Sequence, residues 1–249
     1  MEITRPSNTP DCDEVTCQLK MIVGHDNILF DEASKQHYGK DLTQRYQPAP
    51  LAVIFPSNQN QIIDIVKLAN KHNIGLVPSG GKTGYSGGAT AMHNEIVVSF
   101  EKYNNIINFD LDNRQITCEP GVTTKTIQDF AQQHSLFYPV DFASAGSSQI
   151  GGNVATNAGG IKVIRYGLTR NWVRGLKVVT GTASPLNLNK GLMKNASGYD
   201  LMQLFIGSEG TLGFIAGITL QLTNQQSNHN VLLLAVPDKN NFMKLFNAF

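Results

Sequence analysis

A strand–helix–strand pattern of apolar positions opens the regular part of the chain. The apolar run Leu51–Phe55 predicts a buried strand, and Ser57 or Asn58 caps a helix that continues to His72. The buried stripe of this helix recurs at helical spacing and consists of Ile62, Ile63, Val66 and Ala69. A second short strand, 75–78, runs directly into a glycine-rich loop.

A hairpin and a second amphipathic helix follow. Strand 95–100 precedes segments 106–111 and 115–119, which alternate polar and apolar residues around a turn and so predict a hairpin. The next helix ends near Leu136, and its apolar face consists of Ile127, Phe130 and Ala131. Segment 139–167 is too apolar for a linker and too rich in glycine for a helix, so we predict a long irregular stretch there.

These patterns predict an α+β fold with two small lobes, about residues 45–122 and 123–223. Strands around 176–180 and 214–222 belong to the second lobe. Residues 1–44 give no regular pattern and are interpreted as an irregular lead-in. We expect the glycine-rich loops of the two lobes to face each other across the gap between them.

Residues 224–249 are predicted to begin a further domain. The apolar run 231–236 indicates a strand, and Asp238 is placed to cap a helix. The apolar stripe of that helix would be Phe242, Leu245, Phe246 and Phe249. Because such a stripe needs a partner surface and the pattern is cut off, we expect the start of a truncated C-terminal substrate domain in a protein roughly twice as long.

Composition and charge exclude several classes of protein. An apolar fraction of 41% with 16% charged residues is too hydrophobic for a disordered chain, and no apolar run is long enough to cross a membrane. The net charge of +1, with no basic face, gives no reason to expect a nucleic acid partner. The N-terminus lacks a signal segment, so we expect a cytoplasmic protein; peripheral attachment to the inner face of the membrane stays open.

The cysteines and histidines predict neither a metal site nor a catalytic group. Cys12 and Cys17 are close in sequence, but no second Cys or His pair lies at zinc-site spacing, and Cys118 stands alone. The histidines all lie outside the glycine-rich loops: His25, His37, His72, His93, His134 and His229. No Ser-His-Asp or paired-carboxylate arrangement is present, so no catalytic residue is predicted.

The chain has 23 glycines, and more than half of them lie in three clusters, at 80–88, 151–160 and 207–217. Glycine lets backbone N–H groups converge on an anion, because it permits close approach and a positive φ. Each N–H aimed at a phosphate oxygen contributes about 1.5–3 kcal/mol, so several can hold a diphosphate without a basic patch. Lys82 is the only cation of the first loop. We therefore predict a large phosphate-bearing cofactor in a groove lined by these loops.

Two better-known phosphate-binding motifs do not match. A Walker A loop needs G-x-x-x-x-G-K-[ST], but the glycine upstream of Gly81-Lys82-Thr83 is Gly75, one residue too far away. The residues after Thr83 are also too rich in glycine to open a helix. No G-x-G-x-x-G follows a strand and opens a helix, so the Rossmann fingerprint fails as well.

Three motifs, in order along the chain, carry a resemblance to a known family. They are Pro78–Gly88, Ile150–Gly160 followed by Arg165–Gly167, and Gly207–Gly213. In them the chain resembles the PCMH-type FAD-binding domain of the FAD-linked oxidases, the vanillyl-alcohol oxidase superfamily. Within it, the chain is similar to bacterial D-lactate, glycolate and D-2-hydroxyglutarate dehydrogenases. The resemblance covers about residues 45–223.

The resemblance implies a flavin-dependent oxidoreductase that oxidises a D-2-hydroxy acid of the lactate, glycolate or 2-hydroxyglutarate type by hydride transfer to FAD. The implied partners are this small-molecule substrate and an electron acceptor of unspecified class: a quinone, an electron-transfer protein or oxygen. The relatives carry their catalytic residues, and in some branches a metal, in a second domain. We therefore expect this piece alone to be inactive.

The resemblance also assigns residues around the cofactor. Those of the first loop would wrap the diphosphate: Pro78, Ser79, Gly80, Gly81, Lys82, Thr83, Gly84 and Ser86. Those of the middle segment would follow the diphosphate, the ribityl chain and the isoalloxazine edge: Pro139, Asp141, Ser147, Ser148, Gly151, Gly152, Thr156, Asn157, Gly160, Tyr166 and Gly167. Those of the third loop would lie near the adenosine end: Glu209, Gly210, Gly213 and Ile215.

The chain departs from the family pattern at two places. Lys82 stands where the family has a third consecutive glycine, and where some relatives carry a histidine bonded covalently to the flavin. Lysine does not form that bond, so non-covalent FAD is implied; the side chain either reaches a phosphate or points to solvent. At 183–185 the chain lacks the acidic turn of its relatives, which we interpret as a loop variant.

Two other classes of protein stay open. A non-catalytic flavin-binding or electron-transfer module predicts a yellow protein that no hydroxy acid bleaches. A P-loop-like nucleotide phosphotransferase predicts magnesium-dependent ATP binding and a colourless protein.

Overall fold

The computed structural model describes residues 12–43, 45–226, 232–236 and 238–248. Its helices are α1 (Cys12–Val23), α2 (Glu32–Tyr38), α3 (Gln59–His72), α4 (Thr124–Gln133), α5 (Ile150–Ala155), α6 (Val163–Tyr166), α7 (Met202–Phe205) and α8 (Lys239–Phe246). Its strands are β1 (Ile28–Leu29), β2 (Ala52–Ile54), β3 (Leu76–Ser79), β4 (Ile96–Ser99), β5 (Ile106–Asp110), β6 (Gln115–Cys118), β7 (Leu136–Phe137), β8 (Val173–Thr180), β9 (Pro185–Leu188), β10 (Gly213–Gln221) and β11 (Thr223–Asn224). The predicted α+β fold class is confirmed.

Four strands form a mixed sheet in the order β1-β2-β4-β3, with β2 and β3 parallel to β4 and β1 antiparallel to β2. Helix α3 connects β2 to β3, and Asn58 is its cap: the side-chain oxygen accepts a hydrogen bond from the backbone N–H of Gln61 at 3.0 Å. Ile63 of the predicted stripe is only half-buried. The buried residues of the helix are Ile62, Ile65, Val66, Leu68 and Ala69.

The predicted irregular lead-in is wrong for residues 12–38. This stretch forms α1, β1 and α2, and Val15 and Leu19 of α1 are buried in the core that α1 and α3 form against the first sheet. A strand of two residues and a helix of seven are too short to show a hydrophobic period, which is why the pattern missed them. Residues 1–11 of the predicted lead-in lie outside the described residues.

Five antiparallel strands form the second sheet, in the order β5-β6-β10-β8-β9. Residues of α4 and α5, including Ile127 and Ile150, pack in its core. Because β5 and β6 belong to this sheet, the chain changes sheet between β4 and β5, earlier than the boundary predicted near residue 122. Alternation within a hairpin does not reveal which sheet the hairpin joins.

Segment 139–167 was predicted to be irregular throughout. That prediction is wrong, because the segment contains α5 and α6. Helix α5 includes Gly151 and Gly152, and each glycine costs about 1 kcal/mol relative to alanine in a helix interior. Ile150 and Val154, four residues apart on one face, are fully buried in the second core. Tertiary packing of that face therefore outweighs the low helix propensity of this segment.

The C-terminal residues confirm the predicted helix but not the predicted strand. The Asp238 carboxylate caps α8 by accepting hydrogen bonds from the backbone N–H groups of Asn240 and Asn241, at 2.7 and 3.1 Å. Residues 232–236 form no strand, since they pair with no other strand of the described residues. Val231 and Phe249, which the predictions also included, lie outside the described residues.

No helix in the ranges that the structure describes is both long and apolar enough to cross a lipid bilayer.

Candidate cofactor-binding site

A cavity of about 610 Å³ lies between the loop that follows β3, helix α5 and the start of β10. Its lining contains residues from all three glycine motifs, which are far apart in sequence. The predicted site residues that line it are Pro78, Gly80, Gly81, Lys82, Thr83, Gly84, Ser86, Ser148, Gly151, Gly152, Thr156, Glu209, Gly210, Gly213 and Ile215. The fold thus brings the three motifs to one cavity.

The remaining predicted residues are not among those that line the cavity: Ser79, Pro139, Asp141, Ser147, Asn157, Gly160, Tyr166 and Gly167. Asp141 forms an ion pair with Lys162 at 3.1 Å. A Cβ on Gly160 would lie 1.8 Å from the Asp141 carbonyl oxygen, so this glycine allows two backbone segments to touch. The Asn157 side-chain oxygen accepts a hydrogen bond from the Arg170 backbone N–H at 3.1 Å. These residues shape the loops, and their contact with a cofactor stays a prediction.

Three more of these residues support the structure around the loops. The hydroxyl of Ser79, the last residue of β3, donates to the Tyr38 carbonyl oxygen at 3.2 Å. The Tyr166 hydroxyl accepts a hydrogen bond from the Gln226 side chain. Gly167 ends α6 with a φ of 74°, a conformation that favours glycine.

Several lining residues outside the motifs were missed by sequence reasoning: Asp41, Ala89, Phe100, Pro120, Phe142, Ser144 and Phe214. Phe100 directly follows β4, and Phe214 lies in β10. Ala89 directly follows the first motif, whereas Asp41, Phe100 and Phe214 come from segments that no glycine pattern marks.

The first loop presents a run of unpaired backbone donors beside the cavity. No backbone N–H of residues 80–86 donates a hydrogen bond to an acceptor within the described part of the chain. The next N–H, that of Gly87, bonds to the Asp41 carboxylate. Backbone donors without partners at a cavity wall are the groups that bind a diphosphate, because each supplies a charge-assisted hydrogen bond.

Gly81 and Gly152 serve this cavity in different ways. A Cβ on Gly81 would lie 2.1 Å from the Ser147 carbonyl oxygen, so glycine is needed for the first loop to contact the second. A Cβ on Gly152 would meet nothing within 4 Å, although Gly152 lines the cavity. Because Gly152 has no side chain, the space beside it in the cavity stays free for a ligand.

The hydroxyls of Ser148 and Thr156 are used within the protein. Ser148 donates to the side-chain oxygen of Asn153, whose NH₂ group donates to the Thr124 hydroxyl at 2.6 Å. Thr156 donates to the Gly152 carbonyl oxygen at 2.9 Å. Ser148, Asn153 and Thr124 thus form a buried polar network that holds the second loop.

The third loop is tied to the other two. The Glu209 backbone N–H donates to the Ala155 carbonyl oxygen at 2.8 Å, which joins this loop to α5. Gly210 has a φ of 78°, and a Cβ there would lie 2.5 Å from the Pro78 ring. Glycine at this position therefore lets the third loop approach the start of the first.

Asp41 anchors the far end of the first loop. Its side chain is 6% exposed, and its two oxygens accept hydrogen bonds from the backbone N–H groups of Thr43 and Gly87, each at 2.8 Å. The backbone N–H of Leu42 also donates to the Gly84 carbonyl oxygen at 2.9 Å. Asp41 therefore holds the loop that carries the unpaired donors, although it precedes every motif.

We expect Asp41→Asn to lower the free energy of unfolding by about 1.5–3 kcal/mol, the contribution of one hydrogen bond to a charged group. The affinity for FAD should fall about tenfold, because the loop donors would no longer be held in place. Chemical denaturation and FAD titration measure the two effects. Asp129→Asn, at an exposed carboxylate of α4, is the control. Equal losses in both variants would contradict the anchoring role.

Lys82 does not point freely into solvent. It has a φ of 58°, and its ammonium group lies 4.4 Å from the centre of the Tyr38 ring. The Tyr38 hydroxyl donates to the Glu101 carboxylate at 2.8 Å. Burial lowers the pKa of Lys82, and the charge of Glu101 opposes this effect. Lys82 is therefore a half-buried cation that lines the cavity, and its ammonium group packs over the Tyr38 ring.

The described residues contain no candidate metal centre. No group of three or more His, Cys, Asp or Glu side chains among the described residues is arranged to hold a metal ion. A second cavity of about 360 Å³, lined by residues between 170 and 203, contains no predicted site residue. The glycine-lined cavity is therefore the candidate site.

Residues 50–189 of the chain match the family described as the FAD binding domain. The chain belongs to this FAD-binding family. FAD is its cofactor, as the family resemblance implied. The residues fit that group, because the unpaired N–H donors suit the diphosphate and the cavity volume is within the usual range for cofactor sites, about 300–1,000 Å³.

Two bacterial proteins similar to this chain are both D-2-hydroxyglutarate dehydrogenases. The chain is 54% identical over 232 residues to the D-2-hydroxyglutarate dehydrogenase of Stutzerimonas stutzeri, covering 93% of this chain and 50% of that protein. It is 48% identical over 222 residues to the D-2-hydroxyglutarate dehydrogenase of Xanthomonas citri pv. viticola, covering 89% and 47%. The chain thus spans about half the length of these curated relatives.

A solved structure supports the fold of this FAD-binding chain. The chain superposes on alkyldihydroxyacetonephosphate synthase with a TM-score of 0.77 and 20% sequence identity, covering 85% of this chain and 40% of that one. At that identity the likeness shows the fold alone.

Proposed function

We propose that this chain is the FAD-binding half of a flavin-dependent dehydrogenase that oxidises a D-2-hydroxy acid. The observation that carries this proposal is the similarity, over most of the chain, to two D-2-hydroxyglutarate dehydrogenases. D-2-Hydroxyglutarate is therefore the favoured substrate, with D-lactate and glycolate as the alternatives within the same reaction class.

The chain's own residues would bind and orient the cofactor. The backbone donors of residues 80–86 would hold the diphosphate, and Lys82 would add a positive charge beside it. Gly152 would leave room for the cofactor beside α5, and Glu209, Gly210, Gly213 and Ile215 would lie at the adenosine end. Bound FAD supplies the chemistry by accepting a hydride equivalent from the hydroxy acid.

The cofactor is expected to be released as intact FAD when the protein is precipitated with acid. Lys82, at the position where the family resemblance places a covalently attached histidine, forms no bond to the flavin. Mass spectrometry of the yellow supernatant identifies the cofactor. A colourless supernatant above a yellow pellet would show covalent attachment, and FMN or ATP in the supernatant would contradict the dinucleotide assignment.

The proposed reaction is tested with the intact protein that contains this chain, under anaerobic conditions. D-2-Hydroxyglutarate should bleach the visible flavin absorbance, whereas L-2-hydroxyglutarate should not. D-Lactate and glycolate, tested in parallel, define the size of acid that is accepted. A yellow protein that none of these acids bleaches would instead indicate a flavin-binding or electron-transfer module.

A further inference from the structure

The second cavity, of about 360 Å³, shares no lining residue with the FAD cavity. Its lining comes from the turn before β8, the start of β8, the residue after β9 and the loop that leads into α7. Two arginines, Arg170 and Arg174, are part of this lining. A cavity of this volume has room for a small molecule.

Arg174 is a half-buried cation with one guanidinium nitrogen that the protein leaves unused. Its Nη1 donates to the carbonyl oxygens of Asn171 and Val173, at 2.9 and 3.1 Å. Its Nη2 has no hydrogen-bond partner in the described part of the chain and, unlike the buried Nε, is not sealed from solvent. Burial lowers the pKa of Arg174, because the cation has lost part of its hydration. Arg174 forms no ion pair with any described residue.

Arg170 adds a second positive charge whose partners are also neutral. Its Nη1 donates to the side-chain oxygen of Gln203, and its Nη2 donates to the carbonyl oxygen of Ile206 at 2.8 Å. Asp200 is the one acidic residue of the cavity lining, and its carboxylate accepts a hydrogen bond from the Gln203 side chain at 3.2 Å. The lining therefore carries two positive charges and one negative charge.

The sequence around this cavity is also basic. Segment 170–203 contains five lysines and arginines and a single acidic residue, whereas the net charge of the whole chain is only +1. The rest of the chain is therefore net negative, and positive charge is concentrated near the second cavity. Such a concentration attracts anions.

The loop that leads into α7 offers unpaired donors beside the arginines. No backbone N–H of residues 193–196 or 198–200 donates to an acceptor within the ranges that the structure describes. The N–H of Ser197 donates to the Asn195 side-chain oxygen at 3.2 Å. Guanidinium groups and unpaired backbone N–H groups are the donors that bind carboxylates and phosphates in proteins.

We propose that the second cavity binds a small oxyanion, a carboxylate or a phosphate, beside Arg170, Arg174 and the loop 192–200. The anion would balance the excess positive charge of the lining and accept a hydrogen bond from Nη2 of Arg174. The inference goes beyond the proposed FAD function and does not depend on it, because the two cavities have separate linings.

The test measures anion binding to the intact, FAD-loaded protein by calorimetry. Inorganic phosphate and glutarate are the two probes, and their affinities distinguish a phosphate ligand from a carboxylate ligand. Arg174→Met is compared with Arg114→Met, at an exposed arginine in the turn between β5 and β6. Flavin absorbance and thermal unfolding are recorded for every variant.

Ser197→Asp tests the site without removing a contact of the fold. Ser197 is exposed and lines the cavity, and its side chain makes no hydrogen bond to the described residues. Aspartate there would place a negative charge beside the anion. Ser197→Asn, which has a similar size and no charge, is the matched control.

The parent protein should bind at least one of the two probes, and flavin absorbance should not change on binding. Arg174→Met should weaken that binding about ten- to hundredfold, because one charge-assisted hydrogen bond is lost. Ser197→Asp should weaken it about tenfold through charge repulsion and leave the melting temperature unchanged. Arg114→Met and Ser197→Asn should bind the anion as the parent does.

A parent protein that binds neither probe below about 10 mM would overturn the inference. Parent-like affinity in Ser197→Asp, or an equal loss in Ser197→Asn or Arg114→Met, would overturn it as well. Binding that changes flavin absorbance and persists in Ser197→Asp would place the anion at the FAD site instead. Failure of the parent protein to bind FAD would refute the proposed function alone, so the two failures are distinguishable.

Discussion

Gly152→Val is expected to abolish FAD binding while leaving the protein folded. Gly152 lies within α5 and lines the cavity, and a Cβ there would meet no atom within 4 Å beyond the neighbouring backbone of its own helix. The valine methyl groups would therefore occupy cavity space without clashing with the protein. We expect FAD affinity to fall by about 100-fold or more, which corresponds to at least about 2.7 kcal/mol.

The stability of this variant should stay within about 1 kcal/mol of the parent. Glycine is a poorer helix former than valine, so the substitution in α5 does not weaken the helix itself. Circular dichroism and denaturant unfolding of the apoprotein check the fold, and FAD titration checks the site. Gly152→Ala, with one methyl group, should have an intermediate effect on affinity. Gly181→Val, at a glycine with equally open surroundings outside the cavity, is the control.

Normal flavin content in folded Gly152→Val protein would refute the role of this glycine. It would show that FAD does not occupy the space beside α5. If Gly152→Val kept its flavin and the Gly181→Val control lost it, the cofactor would lie elsewhere on the protein.

Gly81→Ala should damage both the fold and the site. A Cβ at this position would lie 2.1 Å from the carbonyl oxygen of Ser147 and 3.0 Å from the Cα of Ser148. Both contacts are with backbone, which cannot move aside as a flexible side chain would. Overpacking of this kind typically costs about 1–3 kcal/mol of stability.

The same change should weaken FAD binding by roughly 100-fold, because the first and second loops line the cavity together and would be pushed apart. Denaturant unfolding and FAD titration again measure the two quantities. Gly146→Ala is the matched control, since a Cβ on this nearby exposed glycine meets nothing within 4 Å. Parent-like stability and affinity in Gly81→Ala would contradict the close contact between the loops.

The two glycine variants separate folding from binding. Gly152→Val is expected to affect binding alone, whereas Gly81→Ala is expected to affect both. The sequence places both residues in glycine motifs and does not distinguish them. Only the surroundings of each Cβ position show which glycine serves the ligand and which serves the packing of the loops.

Local properties of the sequence were enough to predict the fold class and the cofactor. The stripe of α3 and its Asn58 cap are read from neighbouring residues, because helix period and capping depend on positions a few residues apart. The glycine motifs indicate a phosphate-bearing cofactor for a similar reason, since glycine lets neighbouring backbone N–H groups converge, and the resemblance carried by the same motifs implied FAD. The match of residues 50–189 to the FAD-binding family agrees with that prediction.

The tertiary structure alone decided which residues work together. Asp41 bonds to Gly87 across 46 positions of sequence, from a segment that showed no pattern. Helix α5 forms in a glycine-rich stretch because its apolar face is buried against the second sheet, which outweighs local propensity. Packing and burial depend on the whole chain, so no local pattern could reveal them.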